Sequence, residues 1–197
     1  MTTRYVFDFS EGDKEQKALL GGKGANLAEM VKIGLPVPPG FTITTEACKA
    51  YLTKGKAPAE LAAEVTAHLA TVEQAMGRTL GDPINPLLVS VRSGAAFSMP
   101  GMMETVLNIG LNDDSVLGLA GMAGERFAWD SYRRLLQMFG KTVLGIDSEV
   151  FEARIEQVKH ARRIVEDTEL TAADLAALCG SFKTAIFNAT GERFPQD

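Results

Sequence analysis

The sequence has 197 residues, of which 46% are hydrophobic and 23% are charged, a composition typical of soluble globular proteins. Its formal net charge of -5, with both signs interspersed and no basic block, argues against nucleic acid or an anionic membrane as the main partner. No stretch approaches the ~20 apolar residues of a membrane span, and the isolated Cys48 and Cys179 suit a reducing compartment, so we expect a cytoplasmic location.

Short strands and helices are predicted at the start of the chain. Alternating side chains predict a strand over residues 5–9. Apolar residues at helical spacing predict a helix over residues 25–33 that ends at Gly34. An extended Pro-rich segment then leads into a second strand at residues 42–44.

Two further helices and a loop follow. Thr45 is predicted to cap a helix over residues 46–52. A longer helix ends at Gly77, and its apolar face consists of Leu61, Val65, Leu69, Val72 and Met76. The Pro/Gly-rich residues 81–86 predict a loop before the apolar run at residues 87–91.

The pattern from residue 113 onward is almost entirely helical. Three helices are indicated, with apolar faces formed by Phe127, Leu135, Leu136 and Phe139, by Phe151, Ile155, Val158 and Val165, and by Leu175, Leu178, Phe182 and Ile186. Thr171 and Asp174 have the spacing of a capping box at the start of the third helix, and Gly191 closes it. Seven of the eight prolines precede residue 101. We therefore predict an α/β (α+β) chain with an α/β domain at residues 1–111 and a helical domain at residues 112–197.

An arginine ends the apolar run of residues 87–91. The run predicts a buried strand, so the charge of Arg92 is costly unless an anion pairs with it. Either a structural carboxylate or an anionic ligand could be the anion that pairs with Arg92. The small Ser93 permits close approach of a backbone, and the turn residues Pro100–Gly101 lead to a return strand at residues 105–107. A loop of this kind, hung between two strands with free backbone N–H groups, is suited to phosphates.

Three methionines flank the turn in this loop: Met99, Met102 and Met103. Flexible, adaptable methionine side chains fill irregular gaps in a core, and they also form adaptable binding surfaces. The methionines could therefore be core residues or could cover a bound nucleotide.

A second segment with phosphate-binding character surrounds Lys23. Gly21, Gly22 and Gly24 flank the lysine just ahead of the predicted helix, where a flexible backbone, a helix dipole and an ammonium group converge. The spacing is not that of a Walker A motif, because Gly24 follows the lysine. A ligand-binding loop and a structural glycine loop are both consistent with this segment.

Other ionisable residues favour structural interpretations. His68 and His160 are predicted to lie on solvated helix faces and have no neighbours that suggest a catalytic triad or a metal site. Arg133 and Arg134 are predicted to pair with nearby acids on a helix surface. The pair Asp113–Asp114 is predicted to form a turn and to cap a helix. No nucleophile and no metal ligand is predicted.

Four segments together resemble one enzyme family. They are GGKGANLAEM at 21–30, GLPVPPGFTITTEAC at 34–48, GDPINPLLVSVRSGAAFSMPGMMETVLNIGLND at 81–113 and ERFAWDSYRRLLQMFG at 125–140. They are similar to the N-terminal part of pyruvate phosphate dikinase. Phosphoenolpyruvate synthases share a lysine-bearing glycine segment and a VRSS-type strand end, whereas SGAAFSMPGMMETVLN is the dikinase form.

The resemblance implies an ATP-grasp nucleotide-binding domain, whose N-terminal subdomain has a mixed or antiparallel sheet and a helical insert. In that family ATP phosphorylates a histidine of a separate swivelling domain, with inorganic phosphate as co-substrate. The phosphohistidine then phosphorylates pyruvate at a third domain. ATP, phosphate and pyruvate thereby interconvert with AMP, pyrophosphate and phosphoenolpyruvate.

By this resemblance, Lys23 and Arg92 are the cations that contact the ATP phosphates. The loop from residue 96 to residue 105 closes over the polyphosphate, and Gly101 offers a backbone N–H. The full set of expected ATP-binding residues is Lys23, Arg92, Ser93, Ser98, Gly101, Met102 and Met103. Phosphoryl transfer depends mainly on positioning and charge neutralisation at the nucleotide site, so no catalytic residue is expected in this chain.

The resemblance does not extend to the rest of a dikinase. The second ATP-grasp subdomain with its Mg²⁺-binding carboxylates, the phosphohistidine domain and the pyruvate barrel have no counterpart here. We therefore interpret the chain as truncated and expect no turnover from it alone. Its expected partners are the missing C-terminal domains of the same enzyme, and the resemblance implies that the complete enzyme is a homodimer. Two alternatives stay open: a phosphoenolpyruvate synthase-like fragment, and a non-catalytic interaction module that docks through its helical half.

Overall fold

The computed structural model describes residues 3–94 and 105–196. These residues combine helices with small two-stranded sheets, so the predicted α+β class is confirmed. Within those two ranges, every helix falls short of the length or the apolar character that crossing a bilayer requires.

The described residues form two compact units. The first comprises residues 3–77 with residues 93–94, and the second comprises residues 78–92 with residues 105–196. The proposed domain boundary after residue 111 stays a prediction.

A short antiparallel ladder and three helices make up most of the first unit. Strand β1 (Val6–Asp8) pairs with β2 (Phe41–Ile43), so that Phe7 lies opposite Thr42. The helices are α1 (Lys17–Lys32), α2 (Thr45–Lys54) and α3 (Leu61–Met76). Two 3-10 turns, at Phe9–Glu11 and Lys14–Gln16, connect β1 with α1. A small core around Leu20, Ala25 and Ala28 holds α1 in place.

Glycines end the helices of the first unit where the sequence predicts. Gly34 and Gly77 have φ angles of 82° and 62°, which glycine adopts without steric cost. The predicted starts of α1 and α2 are wrong. Helix α1 already begins at Lys17. The N-cap of α2 is Thr44 rather than Thr45, whose hydroxyl instead donates to the carbonyl oxygen of Ala18 at 2.7 Å.

The described part of the second unit contains four strands followed by four helices. They are β3 (Thr79–Leu80), β4 (Pro86–Leu87), β5 (Val89–Arg92), β6 (Thr105–Ile109), α4 (Ser115–Ala123), α5 (Glu125–Thr142), α6 (Ser148–Arg162) and α7 (Ala172–Thr190). Strands β3 and β4 are parallel. Strands β5 and β6 are antiparallel, with Arg92 opposite Thr105.

Helices α5, α6 and α7 enclose the core of the second unit. Tyr132 and Leu136 of α5, Phe151 of α6 and Phe182 of α7 are fully buried. The rings of Phe151 and Phe182 meet edge to face with centroids 4.9 Å apart. Burying each side chain of this size contributes about 1.5–3 kcal/mol. Most of the apolar residues that predicted these helices lie on their buried faces.

The apolar run at residues 87–91 does not form one buried strand as predicted. Leu87 pairs with β3, whereas residues 89–92 pair with β6, so the run is divided between two sheets. Leu87 is buried, but the side chain of Val91 is 56% exposed. The change of pairing partner explains the error, because an apolar run does not reveal which strand each residue joins.

Two predictions for the helices of this unit are also wrong. Val165 is not part of α6, which ends at Arg162 because Arg163 takes a left-handed φ of 58°. Arg133 does not lie on the surface, since only 5% of it is exposed and it is paired with Asp130 at 2.7 Å.

Candidate functional site

Lys23 lies in the first helical turn after a break in α1. The backbone of Gly21 has φ 70° and ψ 170°, a conformation outside the helical region that only glycine adopts readily. A helical segment therefore starts anew at Gly22, and the N–H groups of its first turn have no partner in a preceding turn. Lys23 is half-buried there. Among the described residues, no carboxylate forms an ion pair with it.

Two of the three glycines around Lys23 have a structural role. Gly21 provides the break in the helix. Gly24 is buried where α1 approaches β2, and a Cβ at this position would stand 2.8 Å from the Thr42 side chain. Close helix–strand approach therefore requires glycine at this position, although Gly24 lies within α1 rather than in the structural loop that the sequence left open.

Arg92 ends β5 with its side chain in solvent. Residues 92–94 are all exposed. The charge of Arg92 is therefore not at the end of a buried strand, where the sequence led us to expect it. Within residues 3–94 and 105–196, no carboxylate forms an ion pair with Arg92. The structural salt bridge that the sequence left open is therefore not found among these residues. An exposed guanidinium at a strand end can bind an oxyanion through two parallel hydrogen bonds.

The remaining predicted ATP-binding residues follow Arg92 along the chain. Ser93 comes directly after β5 and is exposed. Ser98, Gly101, Met102 and Met103 lie outside the described residues. Lys23 belongs to the first unit and Arg92 to the second.

His68 has a partner that sequence interpretation missed. Its Nδ1 lies 2.6 Å from Oδ1 of Asp8, and only 15% of its side chain is exposed, so the predicted solvated position is wrong. The neighbouring Glu11 forms an ion pair with Arg4, whose hydrogen bond holds the pKa of this carboxyl below its ordinary value. No local spacing reveals this cluster, because α3 and β1 are brought together only by the fold.

Asp113 also has a role different from the predicted cap. The N-cap position of α4 is Asp114, and its side chain makes no capping hydrogen bond. Oδ1 of Asn112 accepts from the N–H groups of Asp114 and Ser115 instead. The carboxylate of Asp113 accepts from the hydroxyl of Tyr132 at 2.9 Å.

A lysine in the first turn of a glycine-rich helical segment is typical of proteins that bind phosphate-bearing ligands, and so is an arginine like Arg92, which has no carboxylate partner among the residues that the structure describes. Comparison with known proteins shows which family this chain is similar to. Residues 17–62 match the family model described as pyruvate phosphate dikinase, AMP/ATP-binding domain. Lys23 lies inside the matched segment.

Curated relatives match over the whole chain. Chloroplastic pyruvate, phosphate dikinase 1 of Zea mays is 57% identical over 201 aligned positions, which cover 100% of this chain and 21% of that protein. The chloroplastic enzyme of Mesembryanthemum crystallinum is 58% identical, with coverages of 98% and 21%. Pyruvate, phosphate dikinase 2 of Oryza sativa subsp. japonica is 58% identical, with coverages of 98% and 22%.

The chain therefore spans about a fifth of the length of these relatives. It is homologous over its whole length to the N-terminal part of the pyruvate phosphate dikinases, and the resemblance inferred from its motifs is confirmed. Its mixture of helices and small sheets is consistent with the ATP-grasp fold of that family.

Proposed function

We propose that this chain forms part of the ATP-binding site of a pyruvate phosphate dikinase, with Lys23 and Arg92 on the nucleotide phosphates. The observation that carries the proposal is the position of Lys23. It lies within the match to an AMP/ATP-binding domain and stands in a first helical turn, with no ion-pair partner among the described residues.

The two cations have complementary chemistry. The ammonium group of Lys23 is a compact charge beside the first-turn N–H groups, a combination that favours a phosphate. The guanidinium of Arg92 offers a planar pair of donors for two phosphate oxygens. Ser93, Ser98 and the backbone N–H of Gly101 supply neutral donors, and Met102 and Met103 cover the nucleotide.

The complete enzyme would convert ATP, inorganic phosphate and pyruvate to AMP, pyrophosphate and phosphoenolpyruvate through a phosphohistidine on another domain. Because AMP forms only when the bond between the α- and β-phosphates of ATP breaks, AMP would be the leaving group and the histidine of the other domain the nucleophile. Lys23 and Arg92 would neutralise the phosphate charge during this transfer. The partners of this chain are then the other domains of the same enzyme, which we expect to be a homodimer in the cytoplasm. Several relatives are named as chloroplastic.

The residues beside the two cations do not fit a Mg²⁺ site. The metal prefers carboxylate and phosphate oxygens, whereas Lys23 is flanked by glycines and Arg92 by Val91 and Ser93. We therefore assign the Mg²⁺-binding carboxylates of the complete enzyme to regions that this chain does not cover.

Calorimetric titration with ATP tests the proposal. The variants are Arg92→Ala and Lys23→Met, and the controls are Arg78→Ala and Lys56→Met, which remove the same charge from exposed positions. A charge-assisted hydrogen bond contributes about 1.5–3 kcal/mol, so each site variant should weaken ATP binding roughly 10- to 100-fold. Equal affinity of the site variants and the controls would refute the assignment.

The same substitutions in a complete dikinase provide the test of catalysis. There, kcat/KM for ATP should fall for both site variants and stay unchanged for the controls. Phosphate-dependent formation of pyrophosphate distinguishes a dikinase from a phosphoenolpyruvate synthase. A complete enzyme that retains full ATP turnover after Arg92→Ala would instead favour the interaction-module alternative for this region.

A further inference from the structure

Three side chains with metal-ligating atoms meet on the first unit. Asp8 ends β1, Glu11 ends the 3-10 turn that follows, and His68 projects from α3. One ligand atom from each lies within 4.8 Å of the other two. A carboxylate, a second carboxylate and an imidazole form a donor set that suits zinc and related divalent transition metals.

The fold holds the imidazole in this position. Glu64, one helical turn before His68 on α3, accepts hydrogen bonds of 2.8 Å from the N–H groups of Tyr5 and Val6. These bonds attach α3 to the start of β1. The ring of Phe41 flanks His68 with the ring centroids 5.9 Å apart. The histidine therefore has little freedom to move away from Asp8.

The two known hydrogen bonds of the Glu11 carboxylate converge on one of its oxygens. The guanidinium of Arg4 and the N–H of Asp8 both donate to its Oε2, and no hydrogen bond to its Oε1 is found among the described residues. Arg4 also brings a positive charge, which opposes a cation and weakens the site without removing a ligand.

The geometry points to Asp8, Glu11 and His68 as the ligands of a divalent transition-metal ion such as Zn²⁺. Ligands on a tetrahedral zinc lie about 3.3 Å apart, given bonds of about 2.0–2.1 Å. The distance of 2.6 Å between Oδ1 of Asp8 and Nδ1 of His68 would increase slightly on metal binding. Any longer distance between ligand atoms would decrease by rotation of the side chains. Water completes the coordination from the surface depression beside the cluster, which is lined by Thr3, Arg4, Glu64, Ala67 and His68.

Such an ion would join α3 to β1 and to the turn at Glu11. The bond between His68 and Asp8 already connects two segments that are distant in the sequence. A metal ion that replaces the shared proton adds Glu11 to this connection and stabilises the first unit, since it binds only the folded arrangement. This role is independent of ATP binding by Lys23 and Arg92.

Titration with Zn²⁺, and with Co²⁺ followed by visible absorption, tests the inference. Both are carried out on the full chain with Cys48→Ser, because the exposed thiol of Cys48 is a competing ligand for these metals. We expect saturable binding of a single ion, a rise in the melting temperature and absorption bands of Co²⁺ with nitrogen and oxygen ligands. Absence of saturable binding by the folded protein would overturn the inference.

Two substitutions identify the ligands. His68→Gln removes the imidazole, and its matched control is His160→Gln, at the other histidine of the chain, which is exposed on α6. Asp8→Asn keeps a hydrogen-bond acceptor for His68 but lacks the charge. Losing a ligand should weaken binding by more than about tenfold, at least as much as the loss of an outer-shell partner. If both variants bind zinc as tightly as His160→Gln does, the ion lies elsewhere and the assignment is wrong.

Discussion

The hydroxyl of Tyr132 donates a hydrogen bond of 2.9 Å to a carboxylate oxygen of Asp113, joining α5 to the turn that precedes α4. The Nζ of Lys183 on α7 reaches the same carboxylate at 2.5 and 2.7 Å. Three segments of the second unit therefore meet at one charged group. Tyr132 is fully buried, and this desolvation raises the pKa of its hydroxyl far above the ordinary value of 10.0.

Tyr132→Phe should destabilise the protein by about 1–2 kcal/mol at neutral pH. The substitution keeps the buried ring and removes one hydrogen bond to a charged acceptor, while Asp113 retains Lys183. Urea denaturation followed by circular dichroism measures the change. Tyr51→Phe is the control, because Tyr51 is 54% exposed on α2 and should tolerate the change within about 0.5 kcal/mol. Equal stability of the two variants would show that the Tyr132 hydrogen bond contributes nothing.

The same tyrosine should make the protein sensitive to alkaline pH. The folded state holds the Tyr132 proton above pH 10.0, whereas the unfolded state releases it there, so stability falls as pH rises beyond this value. Below pH 10.0 both states keep the proton and no change is expected. The stability difference between wild type and Tyr132→Phe should therefore shrink above pH 10.0 in denaturation curves. A constant difference from pH 7 to 11 would contradict the raised pKa.

The sequence predicts most of the helices of the second unit, because apolar residues at helical spacing mark the buried face of each helix and capping residues mark its ends. Thr171 and Asp174 have the spacing of a capping box, and the structure contains that box at the start of α7. Contacts between distant segments leave no such signature. The bond between Asp8 and His68 depends on how α3 docks on β1, and neither residue has a neighbour in the sequence that indicates it.

The two cations of the candidate site also differ in how well the sequence predicts their surroundings. Glycines around Lys23 predict a flexible segment ahead of a helix, because backbone freedom is a local property, but the segment lies inside α1, where Gly21 breaks the helix. The environment of Arg92 was not predictable, since the apolar run before it does not reveal that its residues are divided between two sheets. The roles proposed for both cations rest on the family resemblance, because geometry alone does not assign them.

Thr171→Ala should cost about 0.5–2 kcal/mol, the usual contribution of an N-cap side chain. The Thr171 hydroxyl accepts from the N–H of Asp174 and donates to its carboxylate at 2.6 Å. That hydrogen bond is the main reason for the lowered pKa of Asp174. Thermal denaturation compares the variant with Thr184→Ala, whose hydroxyl only contacts the helix backbone. A control that loses as much stability would exclude capping as the cause.

The lowered pKa gives this cap a dependence on pH. Because the Asp174 pKa is lower in the folded state, the contribution is present above the ordinary value of 3.8 and is lost as pH falls below it. The difference between wild type and Thr171→Ala should therefore decrease in strongly acidic solution.

Gly21→Ala should destabilise the first unit by about 1–3 kcal/mol, because any side chain is strained at φ 70° and ψ 170°. It should also weaken ATP binding if the break positions Lys23. Gly180→Ala is the control: this glycine lies within α7 with open space at its Cβ, so alanine should be neutral or stabilising by up to about 1 kcal/mol. Unfolding and ATP titration of both variants make the comparison. Unchanged stability of Gly21→Ala would mean that α1 is continuous in solution.

Arg133 and Arg134 share one carboxylate but should contribute very differently to stability. Both contact Asp130, at 2.7 and 3.0 Å, yet the side chain of Arg133 is 6% exposed and that of Arg134 is 61% exposed. Arg133 also donates to Oε1 of Gln137 at 3.0 Å, so its removal leaves a buried gap and unpaired polar groups.

We therefore expect Arg133→Ala to cost about 3 kcal/mol, near the lower end for a broken buried pair because Arg134 still neutralises Asp130. Arg134→Ala should cost at most about 1 kcal/mol, since solvent screens an exposed pair. Denaturation in low and high salt separates the two effects. Salt should reduce the small contribution of Arg134 and leave that of Arg133 nearly unchanged, because ions screen only the exposed pair. Similar losses for both variants would show that Asp130, rather than burial of Arg133, determines the stability of this part of α5.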